Sequence, residues 1–209
     1  MTFRHRRYVE QAAKESLMLQ RIVIFALTLS LASCASLLKS LDRPGPGLSS
    51  ERVSVEWPQK WRTFRPFPAD KNAAAEGLWF SATRDGFGLQ LIRLLQRPLD
   101  SDFTHTKKKL ASGMPPQEAA EIVVDDFRAN PNIADLTLIE TSSATLAGSE
   151  GFRITFGYKD KSGLRRQSVV YGSIDKELLT MLSFDAPQRH YFALDLATFE
   201  QVKESLRWL

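Results

Sequence analysis

Four strand-like segments that follow one another with only short turns between them constrain the fold of this chain most. They are residues 135–146, 152–158, 164–173 and 178–184. In the second segment Arg153 and Thr155 alternate with Phe152, Ile154 and Phe156, which places the apolar side chains on one face of a strand. Successive strands joined by short turns pair antiparallel, because a parallel pair needs a crossover of a dozen or more residues. This part of the chain therefore predicts an antiparallel sheet.

Three further strands and two helices are predicted outside this region. The strands are 53–57, 77–83 and 87–96, and Asp85-Gly86 predicts a type I′ hairpin between the last two. A helix opens at Met114-Pro115-Pro116, since proline is tolerated in a first turn. A terminal helix with Asp195 as its N-cap is predicted by the spacing of five apolar residues, Leu196, Phe199, Val202, Leu206 and Leu209. The prediction is an α+β fold with an antiparallel sheet of about six or seven strands and helices packed on it.

The N-terminal part of the chain has the pattern of an export signal. An apolar run of 11 residues, 22–32, follows Arg21. This run is too short to span a bilayer, which takes about 20 residues, and it has the length of a signal-peptide core. It ends in Leu31-Ala32-Ser33-Cys34, which resembles the lipobox of bacterial lipoproteins at every position. The resemblance implies diacylglycerol on the sulfur of Cys34 and cleavage between Ser33 and Cys34, and several acyl chains anchor a protein stably to a membrane.

The same reading predicts the organisation of the chain. Residues 1–33 are the signal peptide, for which Met18 is an alternative start that gives a more compact leader. Residues 34–50 are the lipidated cysteine and a flexible tether rich in Pro, Gly and Ser. Residues 51–209 form a single α+β domain. In Gram-negative lipoproteins an Asp after the cysteine favours retention at the inner membrane. Ala35 stands there, so the expected location is the periplasmic face of the envelope, with the outer membrane favoured.

Charge and composition exclude several classes of function. The net charge is +4, of which +3 lies in residues 1–33, so the body is nearly neutral. A nearly neutral body argues against binding of nucleic acid by neutralising phosphates. One cysteine and three histidines do not supply a structural zinc site. Neither a phosphate-binding loop nor a dinucleotide fingerprint is present, so no cofactor is expected.

Three short patterns give a second resemblance. Pro58-Gln59-Lys60-Trp61 after the first strand, GSEGFRITFGY at 148–158, and the apolar spacing at 199–206 are similar to features of the PsbP/DcrB-like group. The resemblance spans about residues 51–209. It implies an α/β/α sandwich and a binding or assembly role at a membrane surface, with no shared catalytic site.

Two groups of residues are candidates for a functional site. Ser183 and Asp185 share a face of the predicted strand, and His190 follows a break at Pro187, so the three form the best nucleophile–base grouping. The binding candidates are His190, Tyr191, Arg84, Lys107, Lys108 and Lys109. The main hypothesis is a lipid-anchored, non-catalytic module that binds an envelope protein or a small ligand. A small envelope hydrolase using Ser183/His190/Asp185 and a cell-wall or surface-binding lipoprotein remain the alternatives.

Overall fold

The order of strands and helices follows the sequence pattern closely. The computed structural model describes residues 39–40, 45–50, 53–58, 60–64 and 77–209, and of residues 39–50 only the strands. The predicted signal peptide, Cys34 and Ala35 lie outside the described residues. The strands are β1 (Lys39–Ser40), β2 (Gly45–Ser50), β3 (Val53–Trp57), β4 (Arg62–Phe64), β5 (Leu78–Thr83), β6 (Leu91–Pro98), β7 (Ala134–Leu146), β8 (Ser149–Lys159), β9 (Arg165–Asp175), β10 (Leu178–Pro187) and β11 (Arg207–Trp208). The helices are α1 (Pro116–Ala129) and α2 (Ala193–Ser205), with a π-helical turn (Gln188–Phe192) before α2.

The strands form two sheets, and every recorded pairing is antiparallel. The larger sheet has the order β1-β4-β5-β6-β10-β9-β8-β7, and the smaller has the order β11-β3-β2. Strands β7 to β10 pair as successive hairpins. Strand β6 pairs directly with β10, although α1 and strands β7 to β9 lie between them in the sequence. The predicted α+β class and antiparallel sheet are confirmed. Strand β2 lies inside the segment predicted as a tether, where backbone pairing with β3 orders residues 45–50.

Both faces of the larger sheet are covered. On one face α1 contributes Ala119, Ala120, Val123 and Val124 to a core that includes Phe152, Ile154 and Phe156 of β8. On the other face α2 contributes Phe199 and Val202 to a core with Trp57 and Phe184. A sheet with both faces buried needs an apolar layer on each side. The result is the α/β/α sandwich that the sequence resemblance implied.

Two local predictions are wrong. The connection from β5 to β6 is not a two-residue turn at Asp85-Gly86 but spans residues 84–90. The longer loop is closed by Gln90, whose side chain bonds both the amide N–H and the carboxylate of Asp85. Asp195 is not a helix N-cap. It is the third residue of α2, and its side chain is buried.

The C-terminal end of the chain also departs from the prediction. Helix α2 ends at Ser205, and Arg207–Trp208 form β11 against β3 instead of continuing the helix. Leu209, predicted on the buried face of a helix, is 71% exposed. Pairing with β3 gives hydrogen-bond partners to backbone N–H and C=O groups of Arg207 and Trp208. The last carbonyl groups of a longer helix would have had no such partners.

Gly172 is required by the packing of the α1 face. It lies directly opposite Phe152 in the β8–β9 pair, and a Cβ at Gly172 would be 2.2 Å from Cζ of the buried Phe152 ring. We expect Gly172→Ala to lower the free energy of unfolding by about 1–3 kcal/mol, because the ring must leave its rotamer. Urea denaturation followed by tryptophan fluorescence measures the change. Gly88→Ala is the control, since nothing lies within 4 Å of a Cβ there, and equal losses at both positions would contradict the packing argument.

Candidate functional site

The predicted nucleophile–base grouping is only partly brought together. Ser183 and Asp185 lie on the same face of β10, as expected. The Asp185 carboxylate accepts hydrogen bonds from Tyr158 Oη at 2.7 Å, Arg166 Nε at 2.6 Å and Ser168 Oγ at 2.5 Å. In the described part of the chain, no hydrogen bond joins Asp185 to Ser183 or to His190. The carboxylate therefore serves a buried ion pair and does not orient a histidine.

The remaining candidates near the C-terminal helix are mainly structural. His190 is exposed in the π-helical turn, and its ring meets that of half-buried Tyr191 edge-on at 5.0 Å. Arg84 donates from Nη1 to the buried Asp195 at 2.7 Å, and Gln90 donates to the same carboxylate at 2.9 Å. Burial raises the pKa of the Asp195 carboxyl, and the charge of Arg84 opposes that rise. These contacts fasten the loop after β5 to α2.

Two of the three adjacent lysines are paired with carboxylates. All three are exposed, but Lys108 pairs with Asp125 at 2.7 Å and Lys109 with Asp102 at 3.5 Å. Lys107 Nζ donates to the backbone oxygen of Thr104 at 2.8 Å. Two of the three charges in this loop therefore have a carboxylate partner, and a cell-wall or surface-binding role stays a prediction.

A cavity of about 110 Å³ lies between the C-terminal end of α1 and the larger sheet. Its sheet side includes Arg93 of β6 and Ser183 of β10, which are directly opposite each other in the β6–β10 pair. Its other walls come from α1 and from the loop after β6. The remaining lining residues are Leu95, Arg97, Phe103, Thr104, His105, Val123, Asp126, Phe127, Asn130, Val170 and Met181.

Arg93 is the distinctive residue of this cavity. Its Nε is buried and has no hydrogen-bond partner. No ion pair or hydrogen bond joins its guanidinium to any residue that the structure describes. Arg97 lies four residues further along β6, on the same face of the strand. It donates from Nε to Ser101 Oγ at 3.0 Å, and its guanidinium lies 4.6 Å from the centre of the Phe103 ring. Arg97 therefore supports the loop, whereas Arg93 presents an unneutralised charge to the cavity.

A second cavity, of about 440 Å³, adjoins the first and shares Arg93, Phe127 and Asn130 with it. The Arg166–Asp185 pair lies in its wall. Burial, followed by the charge of Asp185, raises the pKa of the Tyr158 hydroxyl, so Tyr158 stays a neutral hydrogen-bond donor. Burial lowers the pKa of Arg166, but the charge and hydrogen bonds of Asp185, together with the contact of Tyr158, outweigh it and leave the pKa above its ordinary value. This wall is an internally satisfied polar network.

Sequence reasoning missed the Arg93 cavity. The available signal was a single arginine inside the apolar stretch 91–95, since a charge in a strand buried on both faces needs a partner. The stretch was interpreted only as a hairpin strand. The register that brings Arg93 opposite Ser183, and the position of α1 above them, come from tertiary structure.

Within the described ranges, no three His, Cys, Asp or Glu side chains are grouped so as to hold a metal ion. Among the helices in those ranges, none is long and apolar enough to cross a membrane.

The two covered faces and the antiparallel sheet define a PsbP-like α/β/α sandwich, and two solved structures share this fold. One is the solution structure of cyanobacterial PsbP (CyanoP) from Synechocystis sp. PCC 6803, with a TM-score of 0.52 and 12% identity over 83% of this chain and 93% of that chain. The other is the crystal structure of LpqN, involved in cell envelope biogenesis of Mycobacterium tuberculosis, with a TM-score of 0.51 and 13% identity over 79% of this chain and 89% of that chain. Protein-family models and curated protein sequences give no match.

Proposed function

We propose that this protein is a lipid-anchored, non-catalytic binding module of the bacterial cell envelope. Cys34 holds it to the membrane, and residues 51–209 face the periplasm, at the outer membrane as Ala35 favours. The lipobox-like Leu31-Ala32-Ser33-Cys34 supports the anchor. The fold shared with LpqN, a protein involved in cell envelope biogenesis, supports an envelope role.

One observation carries the binding role: the cavity at Arg93 has polar groups without partners among the described residues, while the nearby Asp185 carboxylate accepts hydrogen bonds from three side chains. Asp185 accepts bonds from three side chains and is unavailable as a base or as the orienter of His190. Catalysis by an activated serine needs a base within hydrogen-bond reach. In the described part of the chain no hydrogen bond joins Ser183 to a base, although His105 and Asp126 line the same cavity, and donors arranged in this way are suited to holding a ligand.

We expect a terminal-alkyne fatty acid to label the wild-type protein in bacterial cells and to leave Cys34→Ser unlabelled, because only the thiol at this position accepts the lipid. In-gel fluorescence after conjugation of a dye to the alkyne measures the label. Fractionation should move Cys34→Ser from the membrane to the soluble fraction. Ser36→Ala is the control and should be labelled like the wild type. Equal labelling of Cys34→Ser would overturn the anchor.

A further inference from the structure

We propose that the cavity at Arg93 binds the carboxylate of a small organic acid, with the Arg93 guanidinium as its counter-charge. This inference rests on the binding role proposed above and names the class of ligand for that site. Guanidinium groups pair with carboxylates through two parallel hydrogen bonds. Such a pair would supply the acceptor that the buried Nε of Arg93 lacks within the described part of the protein.

An arginine whose Nε is shielded from water and has no acceptor among the described residues costs the fold free energy. Removing a charged donor from water without giving it an acceptor destabilises a fold by far more than an exposed charge does. The same face of the sheet contains a contrasting case, in which Arg166 is 8% exposed and paired with Asp185. The chain therefore neutralises the buried Arg166 internally, whereas half-buried Arg93, whose Nε is shielded from water, has no ion-pair partner among the described residues. An external anion gives Arg93 the partner that Asp185 gives Arg166.

Two further donors converge on the same cavity. Ser183, 7% exposed, lies opposite Arg93, and its hydroxyl has no hydrogen bond to any described residue. The Oδ1 of Asn130 accepts from the Asn132 N–H at 2.9 Å, which leaves the Asn130 amide NH₂ as a donor. A carboxylate can accept several hydrogen bonds at its two oxygens. Arg93, Ser183 and Asn130 thus match the requirements of one carboxylate.

The charges around the cavities favour a monoanion. Asp126 lines the smaller cavity, and its Oδ1 accepts the backbone N–H groups of His105 and Thr106. Asp185 and Asp160 line the larger cavity near Arg166, which pairs closely with Asp185. Arg93 supplies an unneutralised cation to the smaller cavity, while Lys161 is a further cation at the larger one. A dianion such as hydrogen phosphate would keep one negative charge uncompensated beside Asp126.

The remaining walls select the rest of the ligand. Leu95, Phe103, Val123, Val170 and Met181 make the smaller cavity apolar away from its donors. A cavity of about 150 Å³ accommodates benzene, so a volume of about 110 Å³ suits a carboxylate carrying a short branched or linear aliphatic group. A longer acid would extend past Arg93 into the larger cavity.

The test uses the full chain purified in detergent, with isobutyrate as the probe and isobutyramide as its uncharged analogue. Thermal unfolding is measured as the probe is titrated, because a ligand that binds only the folded state raises Tm. At about ten times Kd we expect isobutyrate to raise Tm by roughly 3–5 °C. Isobutyramide and inorganic phosphate should give no comparable rise.

Substitutions assign the effect to Arg93. Arg93→Met should weaken isobutyrate binding at least about tenfold, since a hydrogen-bonded charge pair is lost. Arg93→Lys keeps the positive charge but loses the planar guanidinium that donates two parallel hydrogen bonds, so it should bind isobutyrate with intermediate affinity. Arg165→Gln, at an exposed arginine of β9, is the matched control and should bind like the wild type. Without probe, Arg93→Met should unfold at or above the wild-type Tm. If Arg93→Met does not fold, the isobutyrate affinities of Arg93→Lys and Ser183→Ala are compared with that of the wild type instead, and both should be weaker.

Three results would overturn the assignment: equal affinity of Arg93→Met and wild type, equal binding of the amide, or phosphate binding as tight as isobutyrate. The Cys34→Ser chain should bind isobutyrate as the wild type does. Loss of acyl labelling therefore tests the membrane anchor, and loss of isobutyrate binding tests the ligand, independently of each other.

Discussion

Replacing Arg166 by Met should lower the free energy of unfolding by about 3–5 kcal/mol, the range for removing one partner of a buried ion pair. Arg166 is 8% exposed and Asp185 13%, and the guanidinium contacts the carboxylate through both Nε and Nη2. Tyr158 and Ser168 would still donate to Asp185, but neither carries a charge. Urea denaturation at neutral pH, followed by circular dichroism and tryptophan fluorescence, measures the loss.

Arg93→Met is the matched control for this prediction, since Arg93 lies on the same face without a partner among the described residues. It should cost nothing or stabilise the fold. The double variant Arg166→Met/Asp185→Leu should recover much of the loss, because it removes the stranded carboxylate together with the cation. If Arg166→Met and Arg93→Met change stability equally, the distinction between a structural arginine and a ligand-facing one is wrong.

Replacing Arg84 by Met should destabilise the protein by about 3 kcal/mol at pH 7, because it leaves the Asp195 carboxylate buried without its counter-charge. Asp195 is 1% exposed and would keep only the hydrogen bond from Gln90. The loss should depend on pH. Burial raises the pKa of Asp195 in the folded state, so the folded state binds this proton more tightly than the unfolded state does.

The sign of the pH dependence follows from that difference. Stability linked to a raised pKa is fully present below the unfolded value, near 4 for Asp, and is lost as the pH rises through the folded value. Arg84→Met removes a charge that lowers the pKa of Asp195, so the variant should lose stability more steeply as pH rises from about 4 to 7. Urea denaturation at several pH values measures this slope. Arg189→Met, at an exposed position, is the control, and a loss independent of pH would contradict the prediction.

Periodicity was sufficient to predict most of the fold. The alternation at 152–158 predicts a strand with Phe152, Ile154 and Phe156 on one buried face, and β8 has that arrangement. The apolar spacing of α1 predicts the side that meets the sheet, and Ala119, Ala120 and Val123 lie in the core. These apolar faces are set by the local sequence, and the hydrophobic effect favours their burial whichever element of the fold covers them.

The candidate site depended on contacts that periodicity does not encode. Asp195 has the residue type of an N-cap and lies near the start of α2, yet Arg84 and Gln90, more than 100 residues earlier, bind its carboxylate from the third position of that helix. Proximity in sequence groups Asp185 with His190, but Arg166 from the neighbouring strand bonds its Oδ1, and Tyr158 and Ser168 bond its Oδ2. Cross-strand register decides such pairings, and a sequence pattern alone leaves it open.

The smaller sheet joins the two ends of the folded body. Strand β11 pairs with β3, and the Glu56 amide donates to Ser205 Oγ at 3.0 Å across a separation of 149 residues. Contacts this distant in sequence form only after a long loop has closed. The conformational entropy lost on closing that loop is not offset until the contacts form, and this slows folding. We therefore expect the body to fold on a timescale of milliseconds to seconds, with successive hairpins β7 to β10 forming early and the β3–β11 junction forming late. Hydrogen exchange during refolding should protect the amides of β8 and β9 before that of Glu56.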